Sequence, residues 1–428
     1  MDQAPKQVNA SKEPLTVERL LADPTSRSDP YALLHELRED APLCQTANGV
    51  WFVTGYKAAR ALLSDPRMSR WEAAKSEWLP DPLEDPEIYD IFHRDPELRT
   101  AHEAVNTMLI NRDDPEHQRL RNLVRQAFLP GAIRLWREKI EETTSLILDR
   151  AVEKVEMDFV REVAFPLPEI VICEMSGVPH EDHGLWAEWS KAAVGAIRTP
   201  KPKGENLRQA LEAHRNFYRY FKTLIADRRG STGDDLIAIL MQAQEEENKL
   251  SEDEIIGTMT LLIQAGHETT ANLVGTGMYH LLKRPELYQE LREYPERIPQ
   301  AVEEFLRFDG PAQFSSPRKA LEDVECEGRL IKKGEFVIVS RHAVNRDPEV
   351  FPDPDDIDFS RTNLHLHHGF GVGPHSCLGR QLAQLEAQIM FREIMKRLPD
   401  LELIKEPEYT PMTTRGFKEL WVRRRSLA

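Results

Sequence analysis

The stretch Phe370-Gly371-Val372-Gly373-Pro374-His375-Ser376-Cys377-Leu378-Gly379 decides the fold of this chain. It places a single cysteine between a glycine-rich loop and the pattern of a helix that runs on from Leu378. Helix N-termini offer unpaired N–H groups and partial positive charge, so we expect Cys377 to be held as a thiolate. The sequence therefore predicts a metal ligand at this position.

The two loop glycines indicate what kind of ligand the cysteine serves. Gly371 and Gly373 permit positive φ and leave no side chain between the loop and a flat cofactor. For an isolated cysteine, a buried structural role is the alternative, but the full pattern F-G-x-G-x-H-x-C-x-G is far more specific. It resembles the haem-binding loop of the cytochrome P450 family, whose iron is held by a cysteine thiolate. The resemblance implies haem b, with Cys377 as the metal ligand and with Phe370, Gly371 and Gly379 in the cofactor site.

Composition bounds the class of protein. The chain has 428 residues and a net charge of −16, from 72 acidic and 56 basic residues, which argues against a general nucleic-acid binder. Its four cysteines are scattered without close spacing, so they predict neither a disulfide framework nor a zinc site. No repeat or low-complexity linker divides the sequence. We expect one domain over residues 1–428, with residues 1–14 as a flexible tail.

Local patterns predict a mainly α-helical protein with small β-sheets, in the α+β class. Helix formers dominate and strand-like stretches are short. The resemblance implies one large domain shaped like a triangular prism. The N-terminal residues 1–14 contain no apolar run long enough for an anchor or signal peptide, so we expect a cytoplasmic monomer without membrane insertion.

A long buried helix is predicted before the cysteine loop. Ser251 and Glu254 fit a capping box, and apolar residues then continue to Leu282. The polar break Ala265-Gly266-His267-Glu268-Thr269-Thr270 lies inside it, where the Thr269 hydroxyl is expected to bond back to the Ala265 carbonyl. A helix of about thirty residues would be long enough to cross the domain, and the back-bond of Thr269 is expected to open its hydrogen-bond ladder locally.

The break matches the oxygen-activating helix of the resembled family, in the form A-G-x-[DE]-T. The resemblance implies that Glu268 and Thr269 relay protons to dioxygen, beside Ala265 and Gly266. A buried polar cluster bonded only to its neighbours is the alternative for the Glu-Thr pair alone. On the same helix, Gln264 and Leu261 are candidates for substrate contact, and helix packing is an equal alternative for Gln264.

Cations for the two haem propionates are expected at four positions. His117 and Arg121 lie four apart on one helical face, and the order H-x-x-x-R matches the family. A solvated helix face is the alternative for this pair alone. The resemblance implies that Arg318 and His375 complete the set.

A structural network is expected behind the haem. Glu304 and Arg307 form the family's E-x-x-R motif and are spaced to make a bidentate pair. The resemblance implies that residues 343–348 and 351–354 form the family's meander and that Arg361, which follows it, completes the network with Glu304 and Arg307. The E-x-x-R motif alone is weak evidence for the family, because it is common in helices. Its position between the long helix and the cysteine loop makes it more specific.

Other segments show ordinary helix and strand patterns. The predicted helices begin near Pro30, Ala58, Pro115, Trp136, Val160, His183 and Asn206, and the predicted strands are near 50–54, 324, 330–331 and 336–339. The helices from His183 and Asn206 flank a Pro/Gly-rich break at 199–204. They predict either a mobile lid or an ordinary surface hairpin. The resemblance implies that 409–417 returns into the substrate pocket.

The resemblance implies a monooxygenase that uses dioxygen and electrons from NAD(P)H, delivered through ferredoxin reductase and ferredoxin. Arg119, Arg125 and Arg380 are candidates for docking an acidic ferredoxin. The expected substrate is a hydrophobic small molecule such as a secondary metabolite, steroid or terpenoid, with hydroxylation or epoxidation as the reaction. Oxidative coupling within the same family, or a non-catalytic haem sensor, are the alternatives.

Overall fold

The structure is a computed structural model that describes residues 25–77, 86–197, 204–230, 233, 235–247, 250–410 and 414–425. Within these ranges the chain is mainly helical with small sheets, which confirms the predicted fold class. The helices are α1 (Thr25–Ser28), α2 (Tyr31–Asp40), α3 (Tyr56–Ser64), α4 (Trp71–Glu77), α5 (Pro86–Arg94), α6 (Pro96–Val105), α7 (Glu116–Arg125), α8 (Pro130–Leu135), α9 (Arg137–Ala151), α10 (Pro166–Ser176), α11 (His183–Ile197), α12 (Gly204–Asp227), α13 (Leu236–Glu247), α14 (Glu252–Gly266), α15 (Glu268–Lys283), α16 (Pro285–Glu293), α17 (Ile298–Asp309), α18 (Arg341–Val344) and α19 (Arg380–Arg397).

Three small sheets accompany the helices. The strands are β1 (Leu43–Gln45), β2 (Trp51–Val53), β3 (Met68–Ser69), β4 (Glu156–Asp158), β5 (Arg318–Ala320), β6 (Val324–Cys326), β7 (Arg329–Ile331), β8 (Phe336–Val339), β9 (Leu401–Leu403) and β10 (Trp421–Arg424). The largest sheet has the order β1-β2-β8-β5-β3, the second is β4-β10-β9, and β6-β7 form a hairpin. Among the strands of the described ranges, β2 and β8 are the one parallel pair, with Phe52 opposite Ile338.

The central helices α14 and α15 lie in the main hydrophobic core. Their buried side chains pack with α10, α17 and α19, including Ile263, Leu273 and Phe305. Gly277 is required here, because a Cβ atom would come within 2.7 Å of the Phe391 ring. This close approach fixes α15 against the helix that follows the cysteine loop.

The long central helix is opened at the predicted break, which divides it into two helices. α14 ends at Gly266 and α15 begins at Glu268, with His267 between them in a bend. The His267 Nδ1 donates to the Ile263 carbonyl at 2.7 Å, and the Thr269 hydroxyl donates to the Ala265 carbonyl at 2.9 Å. Two side chains therefore compete for backbone acceptors in the same turn, which opens the helix there.

Most other predicted elements are present. The capping box of Ser251 and Glu254 is formed in both directions at the start of α14. The segment from Val160, expected as one helix, divides into a π-helical turn at Val160–Ala164 and α10, which has Pro166 in its first turn. The tail 1–14 and the break at 199–203 lie outside the described residues. No helix in the described ranges has the length and apolarity needed to cross a membrane.

A buried carboxylate joins distant parts of the chain. Asp309, 1% exposed, accepts hydrogen bonds from Tyr31 (2.6 Å), His280 (2.8 Å) and Tyr409 (3.0 Å), and it pairs with Arg415. Burial alone would raise the pKa of Asp309, but the charge of Arg415 and the His280 hydrogen bond hold it well below its usual value. The cluster ties α2, α15, α17 and the C-terminal segment together.

Candidate active site

The cysteine loop is a tight turn that ends just before α19. Gly371 and Gly373 have φ of 71° and 74°, in the left-handed region that favours glycine. The Cys377 N–H donates to the Phe370 carbonyl at 2.8 Å, and a Cβ on Gly373 would stand 2.6 Å from the Leu63 carbonyl oxygen. The predicted glycines are thus required by the backbone path, and Cys377 itself is exposed.

Two opposing effects set the pKa of the Cys377 thiol, whose thiolate form stays a prediction. Desolvation by the surrounding protein raises the pKa although the residue remains accessible to solvent, and the Gly379 N–H and the charges of Arg341, Arg121 and Arg380 oppose part of that rise. α19 begins at Arg380 and not at Leu378. A bound metal ion would deprotonate such a thiol outright.

Two predicted cations meet face to face beside the loop. The rings of His117 and His375 lie 4.2 Å apart between centroids. His117 Nδ1 is 3.3 Å from Asp114 Oδ1, while His117 Nε2 and His375 Nδ1 are buried without a hydrogen-bond partner among the described residues. Burial first, and then the charge of Arg318, lowers the pKa of His375 to about 2. Both imidazoles therefore offer neutral N–H donors.

The predicted arginines surround this pair. Arg121 NH2 lies 3.4 Å from Ser376 Oγ, which places the α7 cation against the cysteine loop. Arg318 is buried at the start of β5, where burial and then the charge of Arg70 lower its pKa to about 10. Like charges held this close in a buried site require anions to balance them.

Sequence reasoning missed two arginines of this site. Arg70 is buried and donates from NH2 to Asn111 Oδ1 at 2.9 Å, and its charge acts on both Arg318 and His375. Arg341 begins α18 and packs its guanidinium against Gly371. Neither belongs to a recognised local motif, and only the sheet brings them near the loop.

The helix break presents the predicted relay residues. Ala265 is exposed, while Glu268 and Thr269 are half-buried. A Cβ on Gly266 would come within 2.7 Å of Ile172 on α10, so glycine is needed here for helix packing as well. The Ala265 carbonyl is already engaged by the Thr269 hydroxyl.

The two residues suggested for substrate contact differ in surroundings. Leu261 is half-buried and packs against the main core. Gln264 is also half-buried, and its Nε2 atom is buried with no hydrogen-bond partner in the described part of the chain. An amide donor in that state favours an acceptor from a ligand over simple helix packing.

The E-x-x-R network lies apart from the cysteine. Arg307 donates from Nε and NH2 to Glu304 at 2.6 and 2.7 Å, with both side chains 0% exposed. Arg361 Nε reaches Glu304 Oε1 at 3.1 Å, and Arg307 also donates to the carbonyls of Pro354 and Asp356. The structure thus contains the pairing that the sequence predicts, fixing the segment that leads to the cysteine loop.

The three arginines suggested for docking are not equivalent. Arg119 pairs with Glu254 of the capping box. Arg380 lies 3.3 Å from Glu303 and over the Phe370 ring, whereas Arg125 is exposed at the end of α7. Arg125 is the best placed of the three to meet a partner.

The predicted lid helices α11 and α12 are joined by aromatic packing. Trp186 lies 5.4 Å from Phe217 and 5.1 Å from Phe221 between ring centroids. α12 is linked to α6 by Arg215–Asp95 at 2.6 Å and by Arg219–Glu97 at 2.7 Å. The pair of helices therefore has ion pairs at one edge and an aromatic core behind them.

The donor set fits a haem. One accessible cysteine follows a glycine turn, and beside it His117 Nε2 and His375 Nδ1 are buried with no hydrogen-bond partner in the described part of the chain. The two propionates of a haem would supply acceptors and negative charge for these groups and for Arg121 and Arg318, and in the family a cysteine thiolate holds the iron. Cys377 would hold the iron, while His117, Arg121, Arg318 and His375 would hold the propionates.

Comparison with known proteins identifies the relatives. The family model described as Cytochrome P450 matches residues 198–298 and 296–415. The chain is 41% identical over 312 residues to cytochrome P450 CYP107DY1 of Priestia megaterium, covering 72% of this chain and 74% of that protein. It is 34% identical over 408 residues to the polyketide biosynthesis cytochrome P450 PksS of Bacillus subtilis, covering 92% and 95%.

Solved structures agree with these relatives. P450BioI, in complex with an acyl carrier protein bearing hexadec-9Z-enoic acid, has a TM-score of 0.83 at 34% identity, covering 93% of this chain and 99% of that one. CYP109E1 from Bacillus megaterium, in complex with testosterone, has a TM-score of 0.81 at 31% identity, covering 94% and 98%.

Proposed function

The chain belongs to the cytochrome P450 family of monooxygenases, and from this premise we propose that it inserts one oxygen atom into a C–H bond of a hydrophobic small molecule. The observation that carries the proposal is the accessible Cys377 in its glycine turn, beside buried nitrogens of His117 and His375 that have no hydrogen-bond partner in the described part of the chain. We propose that the whole chain works as one haem domain and as a cytoplasmic monomer.

Haem bound through a thiolate supplies dioxygen activation, and the chain supplies orientation and proton control. Cys377 would hold the iron through its sulfur, from the loop before α19. His117 and His375 would donate N–H groups to the propionates, and Arg121 and Arg318 would balance their charge. Phe370, Gly371 and Gly379 would form the part of the loop that receives the cofactor.

Protons would enter the site through the break between α14 and α15. Thr269 offers a hydroxyl that can exchange its bond to the Ala265 carbonyl for one to a water molecule in the break. Glu268, the next residue, supplies a carboxylate that passes protons from solvent to this hydroxyl. Gly266 keeps α10 close to the break through its contact with Ile172, which fixes the position of both groups.

Substrate is oriented by the same helix. The buried Nε2 of Gln264 donates a hydrogen bond to an oxygen of the substrate, and Leu261 contributes apolar contact. Related proteins support hydrophobic substrates: one solved relative holds testosterone, another holds myristic acid, and one curated relative is a pentalenic acid synthase. A steroid, terpenoid or other secondary metabolite that carries one oxygen could accept the hydrogen bond from Gln264 and pack its apolar part against Leu261.

Electrons come from NAD(P)H through a ferredoxin reductase and a ferredoxin. Arg125 at the end of α7 is exposed, and Arg380 is the first residue of α19, directly after the cysteine loop. An acidic ferredoxin docks against these cations and delivers electrons from the side of Cys377. Arg119 forms an ion pair with Glu254, so it contributes little to docking of the ferredoxin.

The proposal is tested by turnover. Purified protein, a ferredoxin, its reductase and NADPH are combined with ligands selected because they shift the ferric haem spectrum, and products are identified by mass spectrometry. A product heavier than the ligand by one oxygen atom supports the proposal. Haem binding without any product would favour a sensor, and loss of two hydrogens without added oxygen would favour oxidative coupling.

A further inference from the structure

Arg341 points at the cysteine loop from the end of the largest sheet. It follows β8 directly, and its N–H donates to the Gln313 carbonyl at 2.8 Å, which fixes its backbone. A Cβ on Gly371 would lie 3.4 Å from Arg341 NH2, so the guanidinium packs on the bare backbone of the loop. The neighbouring His342 faces the other way and bonds the Gly310 carbonyl.

The charge of Arg341 is not balanced by a carboxylate contact in the described part of the chain. Its Nε atom is buried without a hydrogen-bond partner there. Burial lowers the pKa of Arg341, and the leading charge that opposes this effect belongs to Cys377. A buried guanidinium is costly unless an anion is close, so the arrangement requires a negative partner at the loop.

The propionates already have enough cations without Arg341. Arg70, Arg121 and Arg318 provide three guanidinium groups around the paired rings of His117 and His375. A haem has two propionates, each with one negative charge. Arg341, which is placed against Gly371, is therefore available for the anion that remains, which is the cysteine sulfur.

From this placement we infer that Arg341 is a positioning residue for the haem thiolate, whose positive charge stabilises the sulfur anion and raises the reduction potential of the iron. The inference rests on the proposed function, because it requires haem bound through Cys377. A fixed cation beside the thiolate favours the ferrous state, which carries one more negative charge than the ferric state. Entry of the first electron from ferredoxin becomes easier as a result.

The test compares holoprotein variants in spectroelectrochemical titrations. Arg341→Gln removes the charge and is expected to shift the ferric/ferrous equilibrium at least tenfold toward ferric, which is a potential about 59 mV more negative. Arg341→Lys keeps the charge and should restore most of the shift. Arg423→Gln removes an exposed guanidinium paired with Glu156 on β4, far along the chain from the loop, and should leave the potential unchanged.

Two further readouts separate a thiolate partner from a propionate partner. The iron–sulfur stretching band in resonance Raman should move in Arg341→Gln, while transfer of haem to apomyoglobin stays within twofold of the wild-type rate. Arg318→Gln should show the opposite pattern, with faster haem transfer and an unchanged iron–sulfur band. Faster haem loss from Arg341→Gln without a Raman change would assign Arg341 to a propionate and overturn the inference.

Failure of the inference and failure of the proposed function give different results. An unchanged potential in Arg341→Gln, in a protein that still binds haem and turns over substrate, contradicts only the role of Arg341. A wild-type protein that binds no haem contradicts the proposed function itself. If Arg341→Gln does not accumulate in folded form, Arg341→Lys and Arg341→Met keep the comparison open, and equal potentials for these two also contradict the inference.

Discussion

The Thr269 hydroxyl donates to the carbonyl oxygen of Ala265 at 2.9 Å, one helical turn back and across the break between α14 and α15. Thr269 thus opens the helix with the same hydroxyl that we propose as a proton donor. An unbroken helix would leave that carbonyl to the backbone and the hydroxyl without a defined task.

Replacing Thr269 by alanine should uncouple NADPH consumption from product formation. Haem content should stay normal, while product per NADPH consumed falls and hydrogen peroxide rises, because the proton donor is lost. The rate of product formation should fall about 10²-fold, the lower end of what a positioned proton donor contributes. Peroxide and product are measured together in the ferredoxin system.

Thr276 provides the matched control for this variant. Its hydroxyl bonds back to the Asn272 carbonyl at 2.8 Å in the same helix, but it is fully buried in the core. Thr276→Ala should leave the ratio of product to NADPH unchanged. If Thr269→Ala also keeps that ratio, the relay is assigned to the wrong residue.

Replacing Gln264 by leucine should change which ligands bind. A ligand with an oxygen acceptor loses a hydrogen bond of about 1 kcal/mol, so its Kd should rise about fivefold. A hydrocarbon analogue of the same shape should bind equally well or more tightly. Both are measured by titrating the ferric haem spectrum, and equal effects on the two ligands would show that Gln264 serves packing.

Charge reversal at Arg125 should slow reduction of the haem by ferredoxin. Arg125→Glu places an acidic group where an acidic partner docks, so the bimolecular rate should fall and its dependence on salt should weaken. Stopped-flow measurements at several salt concentrations test this. Arg423→Glu, at an exposed site on β10, is the control, and identical behaviour of both variants would remove Arg125 from the docking surface.

Removal of the buried charge at Asp309 should destabilise the protein strongly. Asp309→Asn leaves the buried Arg415 guanidinium without its carboxylate, which we expect to cost about 3 kcal/mol. Glu156→Gln removes an exposed partner of Arg423 and should cost less than about 1 kcal/mol. Urea unfolding of the two variants measures the difference, and equal losses would contradict the role of the cluster.

The contribution of Asp309 should depend on pH in one direction. Its pKa in the folded protein lies well below the value of about 3.9 for an unfolded aspartate. Its stabilising effect is therefore complete above that value and is lost as the pH falls toward the folded pKa. The gap in unfolding free energy between wild type and Asp309→Asn should be constant from pH 7 to pH 5 and should narrow below pH 4.

Local patterns predicted what local chemistry determines. The capping box at Ser251, the spacing of Glu304 and Arg307, and the back-bond of Thr269 each involve residues within four positions, and each is present. The local opening of the helix at Gly266 and Thr269 was also predicted, whereas the second back-bond, from His267 to the Ile263 carbonyl, was not, because a single histidine leaves the apolar pattern of a long helix intact.

Long-range groupings left no signal in the sequence. Asp309 contacts Tyr31 and Arg415, which lie far from it in the sequence. The residues around each of the three contain no pattern that predicts these contacts. Arg341 reaches the cysteine loop only because β8 delivers it there. The pKa of the Cys377 thiol depends on the whole fold in the same way, because desolvation by the surrounding protein outweighs the nearby N–H group.

The carbon monoxide spectrum of the reduced protein tests the central claim most directly. Wild-type protein supplied with haemin and reduced under carbon monoxide should show the absorption band that gives the cytochrome P450 family its name. Cys377→Ala should lose that band, while Cys173→Ala, at a buried cysteine on α10, should keep it. An unchanged band in Cys377→Ala, or a colourless wild-type protein, would contradict the assignment of Cys377 as the haem ligand.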